Sequence, residues 1–147
     1  MSFALRPARE SDIPALARIA AASYRHAFLP IIGEAGLALR GTGFFEARFA
    51  AEWMFIHLAA EGTRALGFAE VRGAMLDMLF VDPARIGGGV GAALLADAEA
   101  RGARRLECFT ENHAARRFYA RHGWREIAHD AREFAGAAHR FVAMVKP

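Results

Sequence analysis

The chain has 147 residues, of which 54% are hydrophobic and 24% charged, and a formal net charge of +3. These values predict one folded domain over residues 1–147 and exclude a disordered chain. Its longest bulky apolar run falls far short of the roughly 20 residues that cross a bilayer, and its start has no pattern of a secretory leader. The single cysteine, Cys108, excludes an internal disulfide. Because such cysteine usage suits a reducing compartment, we expect a cytoplasmic protein with no membrane partner.

All but one of the nineteen basic residues are arginines. They do not form a run with interleaved aromatic residues, so we expect no nucleic-acid partner. The six histidines are scattered and lack the spacing of a metal site, so we expect no metal.

The first half of the chain predicts a strand, a long helix and a less regular region. Residues 3–6 are typical of a short strand, and a helix begins at Ser11-Asp12. That helix should fade near Phe28, because Pro30 follows. Residues 29–33 then read as a loop.

Two further helices are predicted before the glycine-rich part of the chain, over residues 34–39 and 44–52. The many phenylalanines of this region favour helices that pack on a sheet, and a lid facing a substrate is the alternative.

The second half predicts most of the sheet. Residues 53–59, 63–71 and 74–81 form an antiparallel meander that leads into a glycine-rich loop. Beyond it we expect helices over residues 89–101 and 112–122, and strands over residues 106–110, 124–128 and 140–146, with Phe134 in a further strand candidate. The predicted fold is an α+β, or mixed α/β, three-layer sandwich. Its mixed sheet has about 6–7 mostly antiparallel strands, helices on both faces, and one β-α-β crossover after the loop.

The loop itself predicts a site for a phosphate group. Three consecutive glycines and Gly91 lie between the Asp82-Pro83 turn and a helix. Glycines let an anion approach the backbone, and the first turn of a helix offers unpaired N–H groups and partial positive charge.

A dinucleotide site is one interpretation of this loop, because residues 87–92 fit the pattern G-x-G-x-x-G/A and Glu107 lies 20 residues after Gly87. Three features argue against it. The turn after the strand is too long, several strands precede the loop, and only about 55 residues follow it. A P-loop is also excluded, because the loop has no lysine.

A second motif decides between these interpretations. Residues 112–124 have the pattern N-x-x-A-x-x-F-Y-x-x-x-G-W, and residues 79–95 read LFVDPARIGGGVGAALL. Together they resemble the GNAT superfamily of acetyl-CoA-dependent N-acetyltransferases. In one respect the chain departs from that family: Ile86 stands where the loop usually has Gln or Arg.

The resemblance implies acetyl-CoA as the cosubstrate. The backbone of Leu79, Phe80 and Val81 would pair with its pantetheine arm, and the N–H near Leu79 would polarise the acetyl carbonyl. Asn112 would bond the arm or merely cap its helix, and Arg116 would contact a phosphate or lie in solvent. The pyrophosphate would be held by Ile86, Gly87, Gly88, Gly89, Val90, Gly91 and Ala92.

Catalytic roles also follow from the resemblance. Tyr119 matches the general acid that protonates the departing thiolate, with a core aromatic as the alternative. For the general base we favour Asp77, which simple alternation places on the strand face of Leu79 and Val81. Its rivals are Glu70, His57 and Glu111.

We expect the acceptor to be a small-molecule or peptide amine. We expect its pocket to include Tyr24, Phe28 and Trp53. Cys108 is expected to pack in the interior rather than carry an acyl group. The predicted function is acetyl transfer to a primary amine by direct attack in a ternary complex. The alternative is a non-catalytic acyl-CoA sensor or partner-binding module, and a homodimer is possible in either case.

Overall fold

One mixed sheet runs through the structure, a computed structural model that describes residues 2–147. Its strands are β1 (Ala4–Pro7), β2 (Ile56–Glu61), β3 (Arg64–Arg72), β4 (Met75–Val81), β5 (Arg105–Phe109), β6 (Arg125–Phe134) and β7 (Ala137–Val145). They lie in the order β1-β2-β3-β4-β5-β7-β6. Every neighbouring pair is antiparallel except β4 and β5. The predicted sheet type and meander are therefore confirmed.

The helices cover both faces of this sheet. They are α1 (Ile13–Ala38), α2 (Thr42–Glu52), α3 (Val90–Ala100) and α4 (His113–Arg121). On one face α1 and α2 pack against the sheet, with Phe45 and Phe49 fully buried. On the other face Leu94 of α3 and Tyr119 of α4 join a second core. The three-layer sandwich is thus confirmed, and α3 is its crossover between β4 and β5.

The first helix continues where the sequence predicts an end. Pro30 lies inside α1, which ends only at Ala38, and the axis kinks at Gly33, whose φ of 70° leaves the helical region. The predicted loop is therefore wrong for residues 29–32, whereas the break at Gly33 and a helical segment after it agree with the predicted helix over residues 34–39. Phe28 and Leu37, on either side of the kink, are both buried against the sheet. Burial of this apolar face outweighs the hydrogen bond that the proline removes.

The strand predicted from residue 53 begins three residues later. Trp53–Phe55 forms a single 3₁₀ turn after α2, and β2 starts at Ile56, which pairs with Glu70. Aromatic content suggested a strand here, but Met54 and Phe55 are exposed. The guanidinium of Arg72 lies 4.9 Å above the Phe55 ring. Aromatic residues at this corner therefore cover an edge of the fold without joining the sheet.

Candidate functional site

The only parallel pair of strands in residues 2–147 diverges almost at once. Two residues of β4, Met75 and Leu76, pair with Arg105 and Leu106 of β5, and the ladder then ends. From Met78 to Val81, β4 pairs with β3 alone. The separation opens a cleft in the sheet and leaves one backbone edge of β4 without a strand partner.

The glycine-rich loop lies at the end of that free edge. Gly87 and Gly89 have φ values of 97° and 82°, which side chains other than glycine rarely adopt. Gly89 is the N-cap of α3, and its carbonyl accepts the first helical hydrogen bond, from Ala93. The earlier N–H groups of α3 have no acceptor within the helix. The loop therefore presents backbone donors and the positive end of a helix dipole at the cleft.

A cavity of about 630 Å³ extends from this loop along β4 to α4. The end of β4 forms one wall, the loop and the start of α3 form the floor, and α4 forms the other wall. Its lining includes Leu79, Phe80, Val81, Ile86, Gly87, Gly89, Val90, Gly91, Ala92, Asn112 and Tyr119. Most of the residues expected around a CoA molecule are thus brought together on one surface.

A second cavity of about 300 Å³ opens where β4 leaves β5, towards α1 and α2. Aromatic rings make up much of its wall, and its charged residues are Arg48, Asp77, Glu107 and Arg132. The two cavities meet at a shared boundary. Its residues, which line both cavities, are Phe28, Leu79, Phe80, Asn112, Ala115 and Tyr119.

Tyr119 lies at this boundary on α4. Its side chain is buried, and burial raises the pKa of its hydroxyl well above the ordinary value of a phenol. The group is therefore a neutral O–H donor over the whole physiological range. Asn112 caps α4, accepting a hydrogen bond from the N–H of Ala115 at 3.2 Å, and it also lines both cavities.

A network of charges lies behind the smaller cavity. Arg48 donates to Glu52 at 2.9 Å and to Glu70 at 3.1 Å, and Arg72 donates to Glu52 at 2.7 Å. Glu70 is completely buried, and Oε2 of its carboxyl has no hydrogen-bond partner among the described residues. Burial, reinforced by the neighbouring Glu52, raises the pKa of Glu70 to about 8.

Asp77 lies between this network and the smaller cavity. Its carboxyl is 3.9 Å from Nε of Arg72, which is too long for a hydrogen bond. Burial raises the pKa of Asp77, although Arg48 and Arg72 oppose the change. The structure therefore gives the cavity a carboxyl group that holds a proton more tightly than usual.

The position of Asp77 differs from the sequence prediction. A β-bulge separates the pairs Glu70–Met78 and Val71–Leu76, so Asp77 has no partner on β3. The extra residue breaks the alternation of side chains. Leu76 consequently packs with α3, as Leu79 and Val81 do, whereas Asp77 is near Arg48 of α2. The expectation that Asp77 shares a face with Leu79 and Val81 is wrong.

A sequence model for the acetyltransferase (GNAT) domain matches residues 42–147. This chain belongs to the GNAT acetyltransferase family. The family predicted from the loop and the α4 motif is therefore confirmed. A comparison with curated proteins found no match.

Solved acetyltransferase structures share the fold over nearly the whole chain. A GCN5-related N-acetyltransferase from Rhodopseudomonas palustris is 27% identical, with a TM-score of 0.78 over 99% of this chain and 96% of its own. PaiA N-acetyltransferase from Thermoplasma acidophilum, solved with coenzyme A, is 19% identical, with a TM-score of 0.82 over all of both chains. YncA from Salmonella typhimurium, solved with its cofactor acetyl-CoA, is 21% identical, with a TM-score of 0.69 over 98% of this chain and 92% of its own.

Three residues expected at this GNAT site are not in the cavity linings. Trp53 lines neither cavity, and Gly88 is not in the lining of the larger one, although its neighbours Gly87 and Gly89 are. Arg116 lines neither: it donates to both oxygens of Glu126, at 2.6 and 2.9 Å, and to the carbonyl of Thr110 at 2.7 Å. Its guanidinium is thus committed to contacts within the protein.

The four candidates for the general base lie at different positions relative to the cavities. Asp77 lines the smaller cavity, whereas Glu70 lies buried behind it. His57 instead contacts Asp97 of α3 at 2.8 Å, and Glu111 is exposed and lines neither cavity. Tyr24 and Phe28, expected near the acceptor, do line the smaller cavity.

Sequence reasoning missed several residues of this GNAT site. The smaller cavity is also lined by Arg48, Glu107, Arg132, Phe134 and Phe141. They come from α2, β5, β6 and β7, and no local motif joins them. Cys108, which the sequence assigned to packing, also lines this cavity, and burial raises its pKa to about 11.

In residues 2–147 no three His, Cys, Asp or Glu side chains are grouped so that they would hold a metal ion. Within the same range, no helix combines the length and apolar character that a membrane span requires.

Proposed function

We propose that this chain transfers the acetyl group of acetyl-CoA to a primary amine, by direct attack within a ternary complex. One observation carries the proposal: Tyr119 and Leu79 line both cavities, at the place where the two meet. A thioester in the larger cavity and an amine in the smaller one would meet at these residues. Membership of the GNAT family supports the chemistry.

The larger cavity suits acetyl-CoA. Its volume of about 630 Å³ is in the range of cofactor sites, and its loop has no side chains at the three consecutive glycines. The N–H groups at the start of α3 would hold the pyrophosphate. The free edge of β4, from Met78 to Val81, would pair with the amides of the pantetheine arm. When bound, the molecule supplies an activated thioester.

Tyr119 would donate the proton that the departing sulfur needs. Its raised pKa keeps the hydroxyl protonated, so the donor form is always present. Burial favours the neutral form of a thiol as well, and the nearby thiol of Cys108 illustrates this with a pKa of about 11. A thiolate formed beside Tyr119 would therefore be strongly basic. The same pKa makes Cys108 a poor nucleophile and favours direct transfer to the amine.

Asp77 would take the proton that the amine must lose before it attacks. An alkylammonium group has a pKa near 10, so at neutral pH nearly all of it is protonated. The carboxyl of Asp77 lines the acceptor side of the boundary, and its raised pKa brings it closer to the range of an effective base.

A coupled binding and turnover experiment tests this function. The protein is incubated with acetyl-CoA and a panel of primary amines, and free thiol is measured. Replacing Tyr119 with phenylalanine should lower kcat by about 100-fold, the usual contribution of a general acid. Affinity for CoA, measured by calorimetry, should change little, because the ring remains. Failure of the native protein to bind CoA would refute the proposal.

The alternative is a non-catalytic acyl-CoA sensor. Ile86 favours it, because this residue is 59% exposed and replaces the usual polar contact of the loop. CoA binding without turnover of any amine, and no effect of Tyr119→Phe, would support the sensor and refute catalysis.

A further inference from the structure

We propose that the smaller cavity selects primary monoamines whose body is one aromatic ring. This inference rests on the proposed acetyl transfer, because it names the acceptor class for that reaction. It comes from the aromatic wall of the cavity and from the way in which its charged side chains are already paired.

The wall is built from rings that contact one another. Phe109 connects three of them, with centroid distances of 5.0 Å to Phe28, 5.2 Å to Phe134 and 4.7 Å to Phe141. Tyr24 continues the cluster, 4.7 Å from Phe28. Most of these pairs are edge to face, the arrangement that aromatic rings prefer. A substrate ring entering here would extend the same packing inside about 300 Å³.

The cations of the cavity are not free to hold a substrate carboxylate. Of its described lining residues, Arg48 and Arg132 are positively charged. Arg48 is bound to Glu52 and Glu70. Arg132 is 2.9 Å from Glu107, and its guanidinium lies 3.8 Å above the Phe141 ring. An amino acid would therefore bring in an anion that has no partner, which is unfavourable in a largely apolar site.

The anions leave room for one ammonium group. Asp77 and Glu107 are the carboxylates in the described lining, and Glu107 is paired with Arg132. Asp77 has no hydrogen-bonded cation, since Arg72 is 3.9 Å away. Asp77 can therefore match one ammonium in the cavity. The second charge of a diamine would lie against phenylalanine rings.

Pairs of amines that differ by one charged group test the effects of a carboxylate and of a second ammonium separately. L-Phenylalanine differs from 2-phenylethylamine by a carboxylate, and 1,4-diaminobutane differs from n-butylamine by a second ammonium. We expect kcat/KM for 2-phenylethylamine to exceed that for n-butylamine by about tenfold, from burial of the ring. The kcat/KM for 2-phenylethylamine should exceed the kcat/KM for L-phenylalanine by about 100-fold. The kcat/KM for 1,4-diaminobutane should be lower than that for n-butylamine by about the same factor.

Two phenylalanines provide a matched pair of variants. Arg40 lies 4.8 Å above the ring of Phe134 and 4.4 Å above that of Phe44, but of the two only Phe134 lines the cavity. Phe134→Ala should reduce the preference for 2-phenylethylamine over n-butylamine by about tenfold. Phe44→Ala should leave the preference unchanged.

A third variant keeps the inference testable if Phe134→Ala does not fold. Glu107→Gln removes the partner of Arg132 and frees its guanidinium. This change should raise kcat/KM for L-phenylalanine about tenfold relative to 2-phenylethylamine. If this ratio does not change in Glu107→Gln, the pairing of Arg132 is not what excludes carboxylates. That result would overturn the argument from paired cations.

The outcomes distinguish the inference from the function on which it rests. Binding of each amine in the presence of CoA is measured by calorimetry alongside turnover. Preferred binding of 2-phenylethylamine without turnover would support the inference and contradict catalysis. Turnover that favours 1,4-diaminobutane or L-phenylalanine would support catalysis and overturn the inference. Binding of none of the four amines would also overturn it.

Discussion

Replacing Glu70 with glutamine should change how the free energy of unfolding depends on pH. Glu70 is completely buried, and its carboxyl has one partner, Arg48, on Oε1. Its pKa rises from an ordinary value near 4.5 to about 8. A glutamine has nearly the same shape and can still accept the hydrogen bond from Arg48, but it does not titrate. The variant therefore imitates the protonated form of the native side chain.

The sign and size of the effect follow from this pKa. Below about pH 4.5 the carboxyl is protonated in both the folded and unfolded states, so the ionisation of Glu70 does not lower the free energy of unfolding. Between 4.5 and 8 the unfolded chain loses the proton while the folded protein keeps it, so this group lowers stability as pH rises. One pKa unit corresponds to about 1.36 kcal/mol, which gives a total on the order of 5 kcal/mol above pH 8. Compared with native protein, Glu70→Gln should therefore gain stability from pH 5 to pH 8.

Urea unfolding at pH 5, 6, 7 and 8 measures the difference. The matched control is Glu46→Gln, an exposed glutamate on the same helix as Arg48, for which the difference from native protein should stay nearly constant. If the stability difference between Glu70→Gln and native protein is equally independent of pH, Glu70 is ionised in the folded protein. The attraction of Arg48 for the carboxylate would then outweigh the effect of burial on its pKa. Turnover provides a second comparison, because loss of activity in Glu70→Gln would favour Glu70 over Asp77 as the base.

Further changes test the loop, the base and the sheet. Gly89→Val should weaken CoA binding at least about tenfold, because φ is 82° there, whereas calorimetry should find Ile86→Ala within about twofold of native protein. Asp77→Asn should lower kcat/KM about 100-fold at pH 7, and the loss should shrink as the pH approaches 10 and free amine accumulates. Gly67→Ala should cost about 1–3 kcal/mol in urea unfolding, because its Cβ would lie 2.7 Å from the carbonyl oxygen of Phe80. Gly43→Ala, which contacts nothing within 4 Å, should cost nothing.

The parts of this protein that the sequence predicts are those specified by neighbouring residues. The glycines before Val90 and the pattern around Tyr119 are local, and they identified the family and the start of α3. The meander could be predicted in the same way, because short turns connect its three strands. These features need no knowledge of what packs against them.

What the sequence did not predict depends on distant contacts. Whether α1 passes Pro30 is decided by the burial of Phe28 and Leu37 against the sheet. Whether Arg116 is available to a ligand depends on Glu126, ten residues away on β6, which accepts two hydrogen bonds from it. In both cases the local pattern allows two outcomes, and the energy that chooses between them comes from another element.

The smaller cavity depends most strongly on such distant contacts. Its rings come from two helices, α1 and α4, and four strands, β4 to β7. Its charged residues are paired between β5 and β6 and within α2. A catalytic motif can be recognised because the chemistry requires the same residues close together in the chain. A substrate pocket needs only a surface of suitable shape and charge, and many sequences provide one.

A single irregularity in β4 accounts for much of the site's geometry. Leu76 is the last residue that pairs with β5, and Asp77, the next residue, is the one that the bulge leaves without a partner on β3. At this one point β4 thus stops pairing with β5, and the alternation of its side chains between the two sheet faces is shifted by one residue. The first change opens the cleft beside Leu79, and the second brings a carboxyl to the smaller cavity. An ideal strand would place Asp77 on the α3 face, where Leu76 and Leu79 pack, so the bulge is what brings the carboxyl of Asp77 to the smaller cavity.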